Sequence, residues 1–509
     1  MRMLRIFSLE LRRLMKSRLS CLVMLLTVLS PLTGLILYKP ATASTMLSMY
    51  LANPALAGGV AGGILFGLLT VFEFDRVNRS RTEMLIDPAV SPLSMALVRL
   101  AALFAVSLLT LLVTMLIWLP VSMKLIGSVF SWLNYILAYL LFMGLALPLC
   151  ILAASSAYQF TRRSDLSIVL FAALAALSLT IWADSWQLCW LNPCVWALSD
   201  DFSNFRIFRS VAYMRLTCLA AFSGVWALSW LCIRLHGKSA LGSFTRSARR
   251  VYRPAIAALL LTGSVTAYAE QPIIDNSNPD QTVMSFYELA YADGVVCTGR
   301  TANVRPETSS GTLSGTASYM FENTSGQEQT VYFGVKPGYD IISVSANGEN
   351  TSYTVSNYQE FNEALLEITI PASESVELVI EYGGYPREDR NMSTMQGSSE
   401  ISSEYICLEN AALAPRLINV LPDENMYPSV IEIIVPSAMT VIPFGSSDAE
   451  IISTNGDGTS TWRYETNGTG GILYAGDYIR MDIEAGGITI EFYYGRKHQA
   501  VMESAGAAN

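Results

Sequence analysis

The chain has 509 residues, 52% of them hydrophobic and 15% charged, with a mean hydropathy of +0.37 and a formal net charge of −9. A soluble globular protein is nearer about 25% charged, so a wholly soluble chain is excluded. Most of the 33 Lys and Arg precede residue 271 and most of the 42 Asp and Glu follow it; the first half reads as membrane-embedded, the second as a soluble acidic domain unsuited to nucleic acid.

The N-terminal stretch RMLRIFSLELRRLMKSRLS places Leu4, Phe7, Leu11, Leu14 and Met15 at near-helical spacing with basic residues between them. Residues 1–18 are expected to form an amphipathic helix at the membrane surface. A span needs about 20 mostly apolar residues. Six runs qualify within residues 19–236: Leu19–Leu37, Ala55–Phe72, Val98–Pro120, Leu133–Ala157, Leu166–Ala183 and Val211–Leu235. Basic residues cluster at the N-terminus, at Arg76, Arg79 and Arg81, at Arg162 and Arg163, and from Lys238 to Arg253. The positive-inside rule then puts the N-terminus and the basic linker 237–253 in the cytoplasm, and residues 270–509 outside. Trp118, Trp132, Trp182, Trp186 and Trp190 fall at the predicted outer ends, as an aromatic belt would.

In the second run, Gly59, Gly63 and Gly67 recur every fourth residue and leave one helix face bare. Such a face admits another helix backbone, as a subunit or gate interface or as ordinary packing within the chain. Glu73–Pro92 (EFDRVNRSRTEMLIDPAVSP) interrupts the apolar texture; Asn78–Ile86 can form a short helix that Pro88 stops. Such a helix suits docking to a cytoplasmic partner, whereas a solvated loop would merely set topology. Arg215, about one turn inside the sixth run, is expected to snorkel to the outer interface. Cys189 and Cys194 in CWLNPC, and Cys297 with Cys407, are candidate disulfides on the outer side.

Pro254–Ala269 is a shorter, seventh run after Arg249, Arg250 and Arg253, and it ends Ala267-Tyr268-Ala269. This is the pattern of a secretory signal. The run is either a permanent tether or a signal-peptidase substrate cut after Ala269. Beyond it, VELVIEY (Val376–Tyr382) and ITIEF (Ile488–Phe492) alternate with period two, and Asn347-Gly348 and Asn467-Gly468 are hairpin-type turns. Residues 270–509 are expected to be a mostly-β sandwich or saddle, with a helix over Asp280–Tyr291.

An interfacial helix, six spans and a charged loop after span two, carried by LELRRLMKSR and FEFDRVNRSRTEMLIDPAVSPLSMALVRL, resemble an ABC-2 type transporter permease over about residues 1–236. The resemblance implies that the loop is a coupling helix on which a separate ATPase pushes. Arg76, Arg79, Arg81 and Glu83 would meet the ATPase, and Met84, Leu85 and Ile86 would pack beneath. It further implies a homodimer or heterodimer of permeases in the cell membrane, and a re-entrant hairpin within Asp184–Ser210. No nucleotide site is read in this chain: Gly237-Lys238-Ser239 follows neither the glycine-rich loop nor the strand a P-loop needs. No cofactor is implied.

The phrases ISVSANGENTSYTV, LLEITIPASESVELVIEYGGYP, SVIEIIVPSAMTVIPFG and ILYAGDYIRMDIEAGGITIEFYYG, over about residues 310–500, look like the N-terminal β domain of M1-family aminopeptidases. The zinc site of that family needs H-E-x-x-H and a distant Glu. This chain has two His, His236 and His498, and neither starts such a motif. No metal site or peptidase activity is expected. The domain is a retained binding module, or the reading frame stops early relative to longer relatives. The leading reading is therefore an exporter's membrane subunit with an outer β domain that binds substrate or a partner. The alternatives are a membrane-anchored extracytoplasmic binding or assembly protein, or a truncated membrane metallopeptidase.

Overall fold

The computed structural model describes residues 2–79, 91–201, 203–232, 240–273, 289–360, 363–387, 399–420, 427–444, 448–468 and 471–504. The chain divides into two compact units, residues 1–200 with 206–271, and residues 201–205 with 272–509.

The first unit is helical. Its helices are α1 (Arg2–Lys16), α2 (Arg18–Leu29), α3 (Pro31–Ile36), α4 (Asn53–Arg79), α5 (Pro92–Ile126), α6 (Trp132–Ala138), α7 (Ala146–Thr161), α8 (Ser164–Leu179), α9 (Phe205–Ser229), α10 (Ala240–Ala248) and α11 (Tyr252–Ala269). Among the described residues, five stretches are long and apolar enough to cross a membrane: Arg18–Ile36, Ser48–Arg76, Pro92–Val129, Trp132–Thr161 and Phe205–Cys232. The fifth expected span is shorter, Ser164–Leu179, because the chain leaves helical geometry at Thr180. The seventh run is α11, outside the five. The basic linker contains α10; residues 233–239 lie outside the described residues.

Local chemistry sets several boundaries. Ser91 caps α5 by accepting from the Ser94 N–H at 3.2 Å, with Pro92 at the first helical position. α5 then runs through Pro120 and ends at Gly127, whose φ of +67° suits glycine. Two π-helical turns, Ser48–Ala52 before α4 and Tyr139–Gly144 between α6 and α7, change the helical register.

Two expectations are corrected, and the expected N-terminal helix is given its orientation. Glu73–Arg79 is not loop but the end of α4, extended by pairs at helical spacing: Glu73 with Arg76 at 3.5 Å and Asp75 with Arg79 at 3.2 Å. In α1, Leu14 is buried and Phe7 and Leu11 pack on the bundle core, whereas Leu4 and Met15 are exposed. Trp118, Trp186 and Trp190 are buried, and only Trp132 is exposed as a belt residue would be; Trp118 Nε1 donates to the Val28 carbonyl at 2.9 Å.

The second unit is mostly β. Its strands are β1 (Val295–Glu307), β2 (Thr312–Asn323), β3 (Gln329–Val335), β4 (Tyr339–Ala346), β5 (Glu349–Asn350), β6 (Tyr353–Glu360), β7 (Glu363–Ile370), β8 (Ser375–Gly384), β9 (Glu400–Ile401), β10 (Tyr405–Glu409), β11 (Arg416–Leu417), β12 (Pro428–Pro436), β13 (Thr440–Phe444), β14 (Glu450–Thr454), β15 (Thr459–Asn467), β16 (Ile472–Gly476), β17 (Tyr478–Ala485) and β18 (Ile488–Gly495). A short helix, α12 (Gln499–Ser504), follows. The large sheet has the order β14-β15-β12-β1-β2-β8-β4-β5, with β1 and β12 parallel. Two four-stranded sheets, β13-β16-β10-β9 and β11-β3-β7-β6, share one apolar core with it. Alternation in β1 and β8 turns Ala302, Val304, Leu378 and Ile380 inward.

Asn347 and Gly348 both have positive φ and close the β4–β5 hairpin. Asn467-Gly468 does not close a hairpin. It ends β15 in the large sheet, and β16 belongs to another. The helix expected over Asp280–Tyr291 falls outside the described residues up to 288; Leu289–Tyr291 is not helical.

Candidate functional site

The basic end of the helical unit holds a connected set of charges. Arg13 of α1 donates to Glu73 of α4 at 2.5 Å and to Glu10 at 2.8 Å. Arg76 reaches the same two acids, Glu10 at 3.6 Å and Glu73 at 3.5 Å. Beside this set on α4, Asp75 accepts from Arg79 and from the Tyr158 hydroxyl of α7 at 3.1 Å. Glu10, Glu73 and Asp75 are all buried. Burial acts to lower the Arg13 pKa, but its bonds to Glu73 and Glu10 outweigh that and hold it above the ordinary guanidinium value. The network thus fastens α1 and α7 to the last turns of α4 through charge-assisted bonds.

Of the expected coupling residues, Arg76 belongs to this network and Arg79 pairs at its exposed edge. Arg81, Glu83, Met84, Leu85 and Ile86 lie outside the described residues. Glu10, Glu73, Asp75 and Tyr158 were missed. The available signal was three acids in a flank otherwise rich in arginine.

A second site lies inside the bundle. Arg215 of α9 does not snorkel: it is 0% exposed. Its guanidinium donates to the carbonyls of Trp190, Phe142 (3.1 Å) and Leu191 (3.2 Å). Phe142 lies in the π-helical turn between α6 and α7, and Trp190 and Leu191 lie in the segment between α8 and α9. That segment was expected to hold a re-entrant hairpin. It is instead turn and coil up to α9, with Cys189, Trp190, Leu191, Val195 and Leu198 buried. Buried coil must satisfy its backbone from outside. Besides Arg215, Ser178 Oγ accepts from the Leu191 N–H at 3.0 Å and Ser48 Oγ from the Leu198 N–H at 2.7 Å.

The glycine face of α4 meets the same region. A Cβ at Gly59 would strike the Phe142 carbonyl, one at Gly63 would come within 2.7 Å of Cys150 Sγ, and one at Gly67 would strike the Phe171 ring. All three glycines therefore pack within this chain, against the π-helical turn, α7 and α8.

None of the eight cysteines is in a disulfide. Cys189 and Cys194 have different partners: Cys189 Sγ faces the Trp186 carbonyl, and Cys194 Sγ accepts from Trp196 Nε1 at 3.2 Å. Cys297 on β1 and Cys407 on β10 sit in different sheets. Ala267 and Ala269 are helical, in α11. Tyr213 donates to the Ala267 carbonyl at 2.8 Å, Ser264 to the Thr217 carbonyl at 3.2 Å, and Leu261 packs against Gly224. α11 is thereby docked on α9.

In the β unit, the open face of the large sheet carries a groove of about 300 Å³ lined by Asn303, Arg305, Thr316, Glu381, Glu432 and Thr461, among others. Among the described residues, no group of three His, Cys, Asp or Glu is placed to hold a metal ion.

No protein-family model matches the chain, and no curated protein matches it. Solved structures that align with it include the M1 zinc metallopeptidase of Deinococcus radiodurans, at 12% identity and a TM-score of 0.28, covering 40% of this chain and 48% of that one. A mutant of that enzyme bound to a Tyr-Ser-Ala substrate aligns at 13% identity and a TM-score of 0.29, covering 39% and 47%. Yeast LTA4 hydrolase in complex with bestatin aligns at 14% identity and a TM-score of 0.24, covering 42% and 32%. The chain spans less than half the length of these structures.

Proposed function

We propose that the chain is the membrane subunit of an ABC-type exporter, paired with a separate ATPase and with a second permease copy or homologue. Six spans cross the cell membrane, α11 adds a seventh as a tether, the N-terminus is cytoplasmic, and the β unit lies outside. The observation that carries this reading is the network joining Glu10, Arg13, Glu73 and Arg76. It makes α1 and the end of α4 one mechanical piece, directly before the charged segment 80–90. A force applied there by a docked ATPase would move α1 and α4 together rather than bend a loose loop.

The test is a mild-detergent pull-down from the native host with mass spectrometry. A stoichiometric partner containing a complete P-loop is expected, lost when Arg79 and Arg81 are both changed to Glu. Arg76 is spared because its bonds to Glu10 and Glu73 are structural. Retention of the ATPase by the doubly reversed variant, or absence of any ATPase from the wild-type pull-down, would overturn the reading. A second reading, a membrane-anchored extracytoplasmic binding protein without transport, is favoured by the groove on the large sheet, where Arg305, Glu381 and Glu432 stand among apolar Val304, Ile342 and Ile434. It predicts that extracytoplasmic proteins co-purify through residues 270–509 and that no ATPase does.

A further inference from the structure

Arg99 lies in the second turn of α5, two turns inside a helix long enough to span a bilayer. It is only 8% exposed, and its Nε and Nη2 have no hydrogen-bond partner among the described residues. The charges that act on it are Glu10, Arg76, Arg13 and Glu73. Both acids are already engaged by Arg13 and Arg76. Among the described residues, two carboxylates thus act on three guanidinium groups, and the Arg99 cation is buried. An uncompensated buried charge is strongly unfavourable, so the position calls for an anion from elsewhere.

The free atoms specify its shape. Nε and Nη2 form one edge of the guanidinium fork, the edge that grips two oxygens of a phosphate or carboxylate. α1 packs along α5, so the seam between them opens toward the bilayer that flanks both helices. A lipid can approach sideways. α1 also has the surface for lipid, with Met3, Leu4, Leu9 and Met15 exposed beside exposed Arg5, Arg12 and Lys16.

We propose that Arg99, beside the Glu10–Arg13–Glu73–Arg76 network, binds the phosphate of an anionic phospholipid that intercalates between α1 and α5. The site does not depend on the transporter reading.

The full chain would be purified in detergent, examined by native mass spectrometry, and placed in nanodiscs of phosphatidylcholine alone or doped with phosphatidylglycerol. The wild type is expected to retain phosphatidylglycerol over phosphatidylcholine by about tenfold, equivalent to about 1.4 kcal/mol, and to melt at a higher temperature in doped discs. Arg99→Gln should lose both effects, and Lys124→Gln, exposed at the opposite end of α5, should keep them. Arg99→Lys keeps the charge but not the fork; it should fold in phosphatidylcholine and show a reduced preference, which covers the case in which Arg99→Gln does not fold. Glycerol phosphate added to undoped discs should leave the melting temperature unchanged. No lipid preference in the wild type, an undiminished preference in both Arg99 variants, or a shift produced by glycerol phosphate alone would overturn the proposal. So would loss of a co-purifying ATPase from Arg99→Gln with lipid retention intact, which would assign the guanidinium to a protein carboxylate.

Discussion

Both units bury a segment that is neither α-helix nor a regular strand, and they satisfy it in opposite ways. In the helical unit, one side chain, Arg215, gathers the carbonyls of Trp190, Leu191 and Phe142. In the β unit, three neutral side chains divide the task over residues 412–415: Tyr339 donates to the Ala412 carbonyl at 2.8 Å, Tyr382 to Leu413 at 2.6 Å, and Tyr319 to Pro415. A cation can serve several acceptors from one point, but it must give up its hydration to do so and it concentrates the dependence in one residue. Hydroxyls each serve one acceptor, so the loss of one is local.

The largest expected effect breaks the first arrangement. Arg215→Met would leave three carbonyls without their donor, each costing about 1–3 kcal/mol. Removing a buried cation whose Nε is unpartnered offsets part of this. A net loss of about 3 kcal/mol is expected, and hydrogen exchange in detergent should show peptides over residues 189–199 and 139–144 deprotected together. Deprotection of one without the other would mean that the two segments are held independently.

The same carbonyl can be tested from its other side. Gly59 abuts the Phe142 carbonyl so closely that a methyl group has no room. Gly59→Ala is expected to cost about 2 kcal/mol by overpacking, and to push the π-helical turn away from α4 without touching Arg215. Unchanged thermal stability would show that the turn can move away from α4 while keeping its bond to Arg215.

Much of this was legible in the sequence, and the failures have physical causes. The apolar runs are long enough to announce themselves, and period-two alternation located β8 and β18. Arg215 was misplaced because the apolar run was read as starting at Val211. The helix starts at Phe205, which puts Arg215 about three turns in at 3.6 residues per turn, too deep to snorkel. Arg206 and Arg209 made that first stretch look like loop. Glu73 and Asp75 look like loop for the same reason, since charge in a sequence usually marks solvent. Their partners at three and four residues, and Arg13 sixty residues earlier, neutralise them within a helix. The residue-412 segment offered no local signal, because what holds it comes from three different strands.

The smallest effect sharpens the comparison most. Tyr382→Phe removes one hydroxyl from a ring that stays buried, and should cost about 1 kcal/mol. Tyr319→Phe and Tyr339→Phe should behave alike. The three tyrosines hold consecutive parts of one segment, so their losses are not independent. Once two donors are gone, the segment can leave its site and expose the last carbonyl to water, which makes the third substitution nearly neutral. The triple variant should therefore lose less than the sum of the singles, with exchange at residues 411–415 rising sharply at the second substitution. Strict additivity would instead mean that the segment is pinned from elsewhere, the nearest anchor being Arg416, bonded to Glu363 at 2.8 Å. Glu363→Gln in the triple background would then release it, and the β unit would have its own single point of dependence after all.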